Sequence, residues 1–365
     1  MCEIRLLLSR ERIGHNLDYI RSKLNEDTRI LVNLKANAYG HGAVMLGKFL
    51  QDKVDYFSVA CQKEGMELRQ ASIRTPILVY NPPVEWNKDF FKAGLEPVLY
   101  GLHQTEKLIQ FIEHNRLGPV KVHVKLDTGM HRSGLMAPYV DEMIKLLSGS
   151  PNLELVSVLS HFAAADDPHE DAFTMAQVRL FDELSRKFYT VNPRLIRHIA
   201  NSSAIFRLKN VLFDMVRPGL SVYGISPVEG EPEKHLLPIG KFITRITQIR
   251  EVDPGETVGY NRMFRAERKT RVALAPAGYG DGYKRALGHG KGKVWINGVP
   301  APVIGKVSMD MLTLDITGIE AAIGDEVVLF GDRPHVNELA RWANTIPYDI
   351  TTSLSQRVTR IWQNF

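Results

Sequence analysis

RILVNLKANAYGHGAVMLGKFLQDKVDYFSVA (29–60) decides how the fold is read. Two short apolar runs, RILVNLK (29–35) and YFSVA (56–60), flank HGAVMLGKFLQD (41–52), which has the spacing of an amphipathic helix. Continuously apolar strands are those buried on both faces, as in a parallel sheet with helical crossovers. The pattern repeats outward. Strand-like runs follow at PILVY (76–80), PVLY (97–100), VKVHVKL (120–126), ELVSVLS (154–160) and LIRHIA (195–200), with a weaker one on either side of Arg217. Amphipathic stretches at 62–71, 103–114 and 172–188 lie between them. About eight such units over roughly 240 residues fit a β/α barrel better than an open sheet.

After Pro238 the pattern changes to short strands with turn signals: KFITRITQIREV, TRVALAPAG, GKVWINGVPAPVIGKVSMDMLTLDIT and DEVVLFG. Asn297-Gly298, between VWI and VPAPV, is a strong hairpin signal. The expected architecture is an N-terminal (β/α)8, TIM-like barrel followed by a mostly-β C-terminal domain. The division is placed at 1–237 and 238–365, within the segment SPVEGEPEKHLLP, and the first few residues are free to pair with the second domain.

The 365 residues suffice for about two domains. With 44% apolar and 24% charged residues the chain is neither disordered nor fibrous. No apolar run approaches the roughly 18 residues of a membrane helix, and MCEIRLLLSRER is a poor signal peptide because Arg5 interrupts it. A cytoplasmic setting is expected, with no membrane partner. The net charge of +5 is spread among acids, so nucleic acid is not an expected partner and a small anionic ligand suits the balance equally well. The two cysteines, Cys2 and Cys61, form no CxxC pair; Cys61 is expected as a buried thiol at a strand end.

Reactive residues collect just after the strands. Lys35 ends RILVNLK, Arg132 lies in KLDTGMHRSG, His161 follows ELVSVLS, Asn201 and Ser202 follow LIRHIA, and Arg217 and Gly219 lie in MVRPGLSVYG. In a β/α barrel these strand ends converge on one mouth, where active sites lie. A lysine at the end of an apolar strand is costly if charged and desolvated, and a Schiff base removes that cost. Read alone, the spacing favours an ordinary strand-end lysine reaching solvent or a carboxylate.

The set of motifs narrows the choice. VNLKANAYGHG (32–42), KLDTGMHRSG (125–134), SHFAAADD (160–167), ANSSA (200–204), RPGLSVYG (217–224), GETVGYNRMF (255–264), GYGDGYKR (278–285), GKVSMDMLTLDIT (305–317), GDEVVLFG (324–331) and TIPYDITTSLSQRVTRIW (345–362) together resemble the alanine racemase family, in order and across both domains. The resemblance implies an isomerase that uses pyridoxal 5′-phosphate (PLP) to interconvert L- and D-alanine, supplying D-alanine for peptidoglycan. It assigns Lys35 as the PLP lysine and one catalytic base, and Tyr260 as the second. Two bases on opposite faces are what racemisation needs, because a single base tends to return the proton where it came from. It assigns cofactor contacts to Tyr39, His161, Ser202, Arg217, Gly219, Leu220 and Tyr348. Ser202 is also expected to cap a helix start. Arg132, Met309 and Asp310 match substrate-side residues, Lys125 a lysine that is carbamylated in some members, and Asp166, Tyr279 and Arg285 the entrance. It implies a head-to-tail homodimer in which one subunit's barrel mouth meets the other's β domain, so that each site is shared. Gly280 and Lys306 depart from residues frequent in the family, Ala and Arg respectively, which bears on substrate breadth.

Three other readings compete. A metal site from His161, Asp166, Asp167 and His169 has no standard zinc spacing, and no metal is expected. A non-enzymatic PLP-binding homeostasis protein would lack the segment carrying Tyr260. A racemase for serine or a broader set of amino acids would share nearly every motif.

Overall fold

The computed structural model describes residues 4–208, 211–228 and 234–365. The first strand, β1 (Arg5–Leu8), stands apart from the eight that follow. These are β2 (Arg29–Asn33), β3 (Tyr56–Cys61), β4 (Ile77–Asn81), β5 (Leu95–Leu99), β6 (Val120–Lys125), β7 (Leu153–Leu159), β8 (Ile196–His198) and β9 (Met215–Val216). They form one parallel sheet in the order β8-β7-β6-β5-β4-β3-β2-β9. The sheet then bends round on itself. Asp214 N donates to Arg197 O at 3.0 Å and Arg217 N to Ala200 O at 2.9 Å, which joins β9 to β8.

Side-chain alternation explains why these runs make a barrel rather than an open sheet. Ile30, Val32, Phe57, Val59, Ile77 and Val79 point outward into the main core beneath the helices. Leu31, Tyr56, Leu78, Val98, Leu159, Ile196 and Met215 point inward and fill the barrel. The helices between strands include Ala43–Leu50, Gln62–Gln70, Leu102–Asn115 and Asp171–Arg186. None is long and apolar enough to cross a membrane.

The strand limits differ from expectation in ways with physical causes. The run expected over 97–100 begins at Leu95, because Glu96 is held inside the barrel by a polar partner, His123, rather than by apolar contact. β2 ends at Asn33, and Lys35 sits two residues beyond it, where Leu34 turns the chain (φ −106°, ψ 5°). A bulge lies between β6 and β7: Val122 faces Leu155 but His123 faces Ser157, so Val156 is the extra residue.

The C-terminal part is built from strands β10 (Gly240–Arg245), β11 (Gln248–Val252), β12 (Thr257–Val258), β13 (Phe264–Arg265), β14 (Thr270–Ala275), β15 (Lys293–Ile296), β16 (Val299–Pro302), β17 (Leu312–Asp315), β18 (Glu326–Phe330) and β19 (Thr359–Trp362). One sheet has the order β16-β15-β18-β10-β1-β19, so the chain's first strand lies between two of its late ones. β1 runs antiparallel to β10 and parallel to β19. β15 and β16 form the hairpin expected at Asn297-Gly298, and both turn residues have positive φ (49° and 81°), as a type I′ turn requires. The middle of the linker, residues 229–233, lies outside the described residues, as does Cys2. Cys61 does end a strand, but it is exposed rather than buried, because β3 runs past the barrel wall before its helix begins.

Leu6 is fully buried between β10 and β19. Leu6→Ala is expected to destabilise the fold by about 2–5 kcal/mol, seen as an earlier urea transition.

Candidate active site

A cavity of about 530 Å³ opens at the C-terminal ends of the barrel strands. Of the residues singled out in the sequence, Lys35, Tyr39, Lys125, Arg132, His161, Asn201, Ser202, Arg217, Gly219 and Tyr348 line it. Asn33, Ala60, Tyr80, Asn81, Ser133, Leu159 and Ser160 line it too. Asn33, Ser133 and Ser160 lie inside the motifs quoted above without having been singled out, whereas Ala60, Tyr80, Asn81 and Leu159 lie outside them and reach the mouth through strand pairing.

Lys35 opens an unusual turn. Ala36, Asn37, Ala38 and Tyr39 all have left-handed φ (51–53°) without a glycine among them. Such residues cost roughly 1–2 kcal/mol each, so the surroundings must hold the turn in place. Glu64 does so from the helix Gln62–Gln70, its two oxygens accepting from Ala36 N and Ala60 N, both at 2.7 Å. Asn37 Oδ1 accepts from Ala43 N at 2.8 Å. Burial pushes the Lys35 ammonium below its ordinary pKa; Arg132 and Arg217 add to this and Glu64 opposes it.

Arg217 is buried at 3% exposure. Its Nη1 donates to His198 Nδ1 (3.0 Å) and His198 O (2.9 Å). Its Nη2 donates to Ser160 O (2.6 Å), Ile199 O (3.1 Å) and His161 Nδ1 (3.2 Å). An arginine only donates, so both histidines accept through Nδ1. Desolvation first, and then the Arg217 charge, hold His161 and His198 well below the usual histidine pKa, and both imidazoles are neutral.

The opposite wall is made of neutral donors. Ser202 Oγ accepts from Gly219 N at 2.8 Å and lies 3.0 Å from Ser221 Oγ. The Tyr39 and Tyr348 rings are 5.6 Å apart. A Cβ on Gly219 would come within 2.9 Å of the Tyr39 hydroxyl, so only glycine leaves the space open. Ser202 does not cap its helix. Asn201 is the cap, its Oδ1 accepting from Ala204 N at 3.0 Å, which leaves the Ser202 hydroxyl facing Gly219. Leu220 lies behind this wall and is fully buried.

On the third side, Lys125 Nζ donates to Ser133 Oγ at 2.6 Å. Asp127 does not pair with Arg132. It accepts from Gly129 N and His131 N at 3.0 and 3.1 Å and so shapes the loop that carries Arg132.

The remaining candidates are not brought to this cavity within one chain. Tyr260 sits at the tip of the β12–β13 hairpin and is 68% exposed. Lys306 Nζ donates to the neighbouring Asn261 Oδ1 at 3.0 Å. Met309, Asp310 and Tyr279 cluster in facing loops, where Tyr279 N donates to Ser308 O. Arg357 bridges Asp310 (2.7 Å) and Asp281 (3.3 Å). A Cβ at Gly280 would crowd Arg357 Nη1 to 2.7 Å, which gives a reason for glycine there. Arg285 is exposed in a short turn. Asp166 is exposed and close enough to Tyr348 for its charge to help raise that phenol's pKa, behind the larger effect of burial.

Residues 8–227 match the alanine racemase N-terminal domain family and residues 239–362 the alanine racemase C-terminal domain family. The chain belongs to the alanine racemase family. The alanine racemase of Sorangium cellulosum is 36% identical over 96% of both chains. That of Clostridium kluyveri is 35% identical over 96% of this chain and 92% of its own. Among solved structures, alanine racemase from Clostridium difficile 630 superposes with a TM-score of 0.92 at 32% identity, covering all of this chain and 96% of the other. The Bacillus anthracis alanine racemase solved with bound L-Ala-P gives 0.91 at 30% identity, with the same coverage. The two-part architecture described above is that of these alanine racemases.

Lys125 has its pKa lowered to about 8, by burial first and then by the Arg132 and Arg217 charges. A neutral amine is the nucleophile, so its acylation rate rises with pH and reaches half its maximum near pH 8. An ordinary lysine reaches that point only near pH ~10.4. Competitive labelling followed by peptide mass mapping checks this.

Proposed function

We propose that this protein interconverts L- and D-alanine as a PLP-dependent isomerase, acting in the cytoplasm to supply D-alanine for peptidoglycan. The observation that carries this reading is the pairing of full-length family membership with a desolvated lysine in a cationic barrel mouth. The division into a barrel, 1–237, and a β domain, 238–365, is part of the proposal.

The cavity suits PLP. Its volume of about 530 Å³ lies in the range of cofactor sites. Tyr39, Ser202, Tyr348 and the backbone of Gly219 and Leu220 form a neutral hydrogen-bonding wall fit for a phosphate, and Gly219 leaves the room for one. Lys35 would hold the aldehyde end and Arg217 the ring nitrogen, with His161 between Arg217 and the mouth. When bound, PLP supplies an electron sink that makes the substrate's α-proton labile. Arg217 stays protonated and has no proton acceptor to offer, so it weakens that sink and limits side reactions.

The chain's own residues move the proton. Lys35 Nζ serves one face of the substrate carbon. Burial and the neighbouring arginines favour its neutral form, which is the form that accepts a proton. The hydroxyl of Tyr260 serves the other face. An ordinary tyrosine has a pKa near ~10, and lowering it by three units takes about 4 kcal/mol from nearby cations. Tyr260 does not line its own chain's cavity, so we assign this role to Tyr260 of the partner subunit in a head-to-tail homodimer. Met309 and Asp310 would reach the site from the same side, and Asp166, Tyr279, Arg285 and Tyr348 would frame its entrance. Arg132 suits the substrate carboxylate, and a carbamate on Lys125 would give Arg132 a negative partner.

Incubation with PLP and L-alanine in D2O, with L-serine in parallel, is expected to give fast α-deuteration and D-alanine. A PLP-loaded protein that exchanges neither amino acid would overturn the reading. Lys35→Ala and Tyr260→Phe are each expected to abolish two-way exchange, and only Lys35→Ala to abolish the covalent cofactor's absorbance. A Tyr260→Phe enzyme that racemises normally would remove Tyr260 from its role.

A further inference from the structure

Arg217 is a buried cation, and among the described residues no carboxylate pairs with it directly. A buried charge ordinarily needs a counter-charge. Following its hydrogen bonds across the barrel leads to one. His198 Nε2 lies 2.9 Å from Ser157 Oγ, Ser157 Oγ 2.6 Å from His123 Nδ1, and His123 Nε2 2.9 Å from Glu96 Oε2. These residues come from β8, β7, β6 and β5 in turn, and the bulge at Val156 sets Ser157 opposite His123. His123, Ser157 and His198 are fully buried. Glu96 and Asp281 are the only carboxylates buried among the described residues, and Asp281 belongs to the β domain.

The direction of the links follows from the first, taken together with a His123 ring that carries its proton only on Nε2, toward Glu96. Arg217 can only donate, so His198 Nδ1 accepts and its Nε2 carries the proton. Nε2–H donates to Ser157, the Ser157 hydroxyl donates to His123 Nδ1, and His123 Nε2–H donates to the Glu96 carboxylate. Tyr56 donates to Glu96 as well. No proton needs to travel, and none can pass through a guanidinium that stays protonated. The chain orients groups and carries no current of protons.

We propose that Glu96, His123 and Ser157 are positioning residues for Arg217, forming with His198 a one-way hydrogen-bonded chain whose carboxylate end is the remote counter-charge of the guanidinium. This rests on reading Arg217 as part of the cofactor site. The chain fixes the guanidinium plane and holds the His198 imidazole in a single tautomer, with no carboxylate in direct contact with the cation.

A double-mutant cycle with two readouts tests it. Glu96→Gln keeps the shape and removes the charge, Ser157→Ala cuts the chain, and Ser157→Thr restores the hydroxyl. In the PLP-loaded enzyme each of the first two is expected to lower kcat about tenfold, the worth of a hydrogen bond in a charged chain, with KM little changed. The double variant is expected to lose the same tenfold, because a cut chain no longer senses Glu96. Ser157→Thr recovers most of the rate. By nitrogen NMR of the histidines, without cofactor, the His198 signal moves in Glu96→Gln, although Glu96 does not touch His198, and does not move further when Ser157→Ala is already present. Tyr56→Phe, which perturbs Glu96 more gently, shifts His198 in the same direction and serves if Glu96→Gln does not fold. Losses that multiply in the double variant, or a His198 signal indifferent to Glu96 and Tyr56, would overturn the proposal. If the loaded wild type racemises nothing, the activity reading falls while the His198 signal still decides the chain.

Discussion

A guanidinium sealed inside the barrel organises the molecule around it. The backbone N–H of Arg217 closes the last gap in the sheet through Ala200 O. Its side chain ties together the carbonyls of Ser160, His198 and Ile199. Its own carbonyl accepts from Asn33 at the end of β2. One residue therefore joins the first barrel strand to the last two and defines the floor of the cavity. Removing a buried charge's partners is far more costly than never burying the charge. The barrel can keep this cation only while the carbonyls and the two neutral imidazoles around it stay in place, and that requirement fixes the strand ends on which Lys35, His161 and Ser202 stand.

The site residues on strand ends were legible in the sequence because a parallel barrel sends every such end to one mouth. Lys35, Arg132, His161, Ser202 and Arg217 follow apolar runs that are easy to see, and they do share a cavity. What could not be read is what crosses between strands. Glu64 is one polar residue on an amphipathic helix, and nothing local marks it as the clamp of the Lys35 turn. Glu96 precedes the apolar run PVLY (97–100) that marks its strand, and a single carboxylate there adds nothing to the apolar pattern. His123 and Ser157 alternate with valine and leucine, and they meet only because a one-residue bulge shifts the register. The same limit explains Ser202, whose hydroxyl has a neighbour at Gly219 that local sequence assigned to the helix start, and Cys61, which outruns the barrel wall.

Chemistry and architecture divide unevenly between the two parts of the chain. The barrel supplies a cavity with cations on one side and hydroxyls on the other. The β domain presents Tyr260 on a two-stranded hairpin, well exposed. Exposure of a large aromatic ring on a projecting tip fits a surface made to be covered. In the reading proposed above, the second base would be set by a different part of the chain from the one that holds the lysine.

The placement of β1 bears on how such a chain is made. A ribosome delivers Arg5–Leu8 before the barrel, yet both strands that flank it, β10 and β19, emerge only after the barrel. The barrel strands pair with neighbours near in sequence and can assemble as they leave the exit tunnel, whereas the opening segment must wait, apolar and unpaired, for most of translation. Placing an early strand between two late ones thus delays completion of that sheet until the late strands have emerged, and leaves an extended apolar segment for chaperones to shield in the meantime.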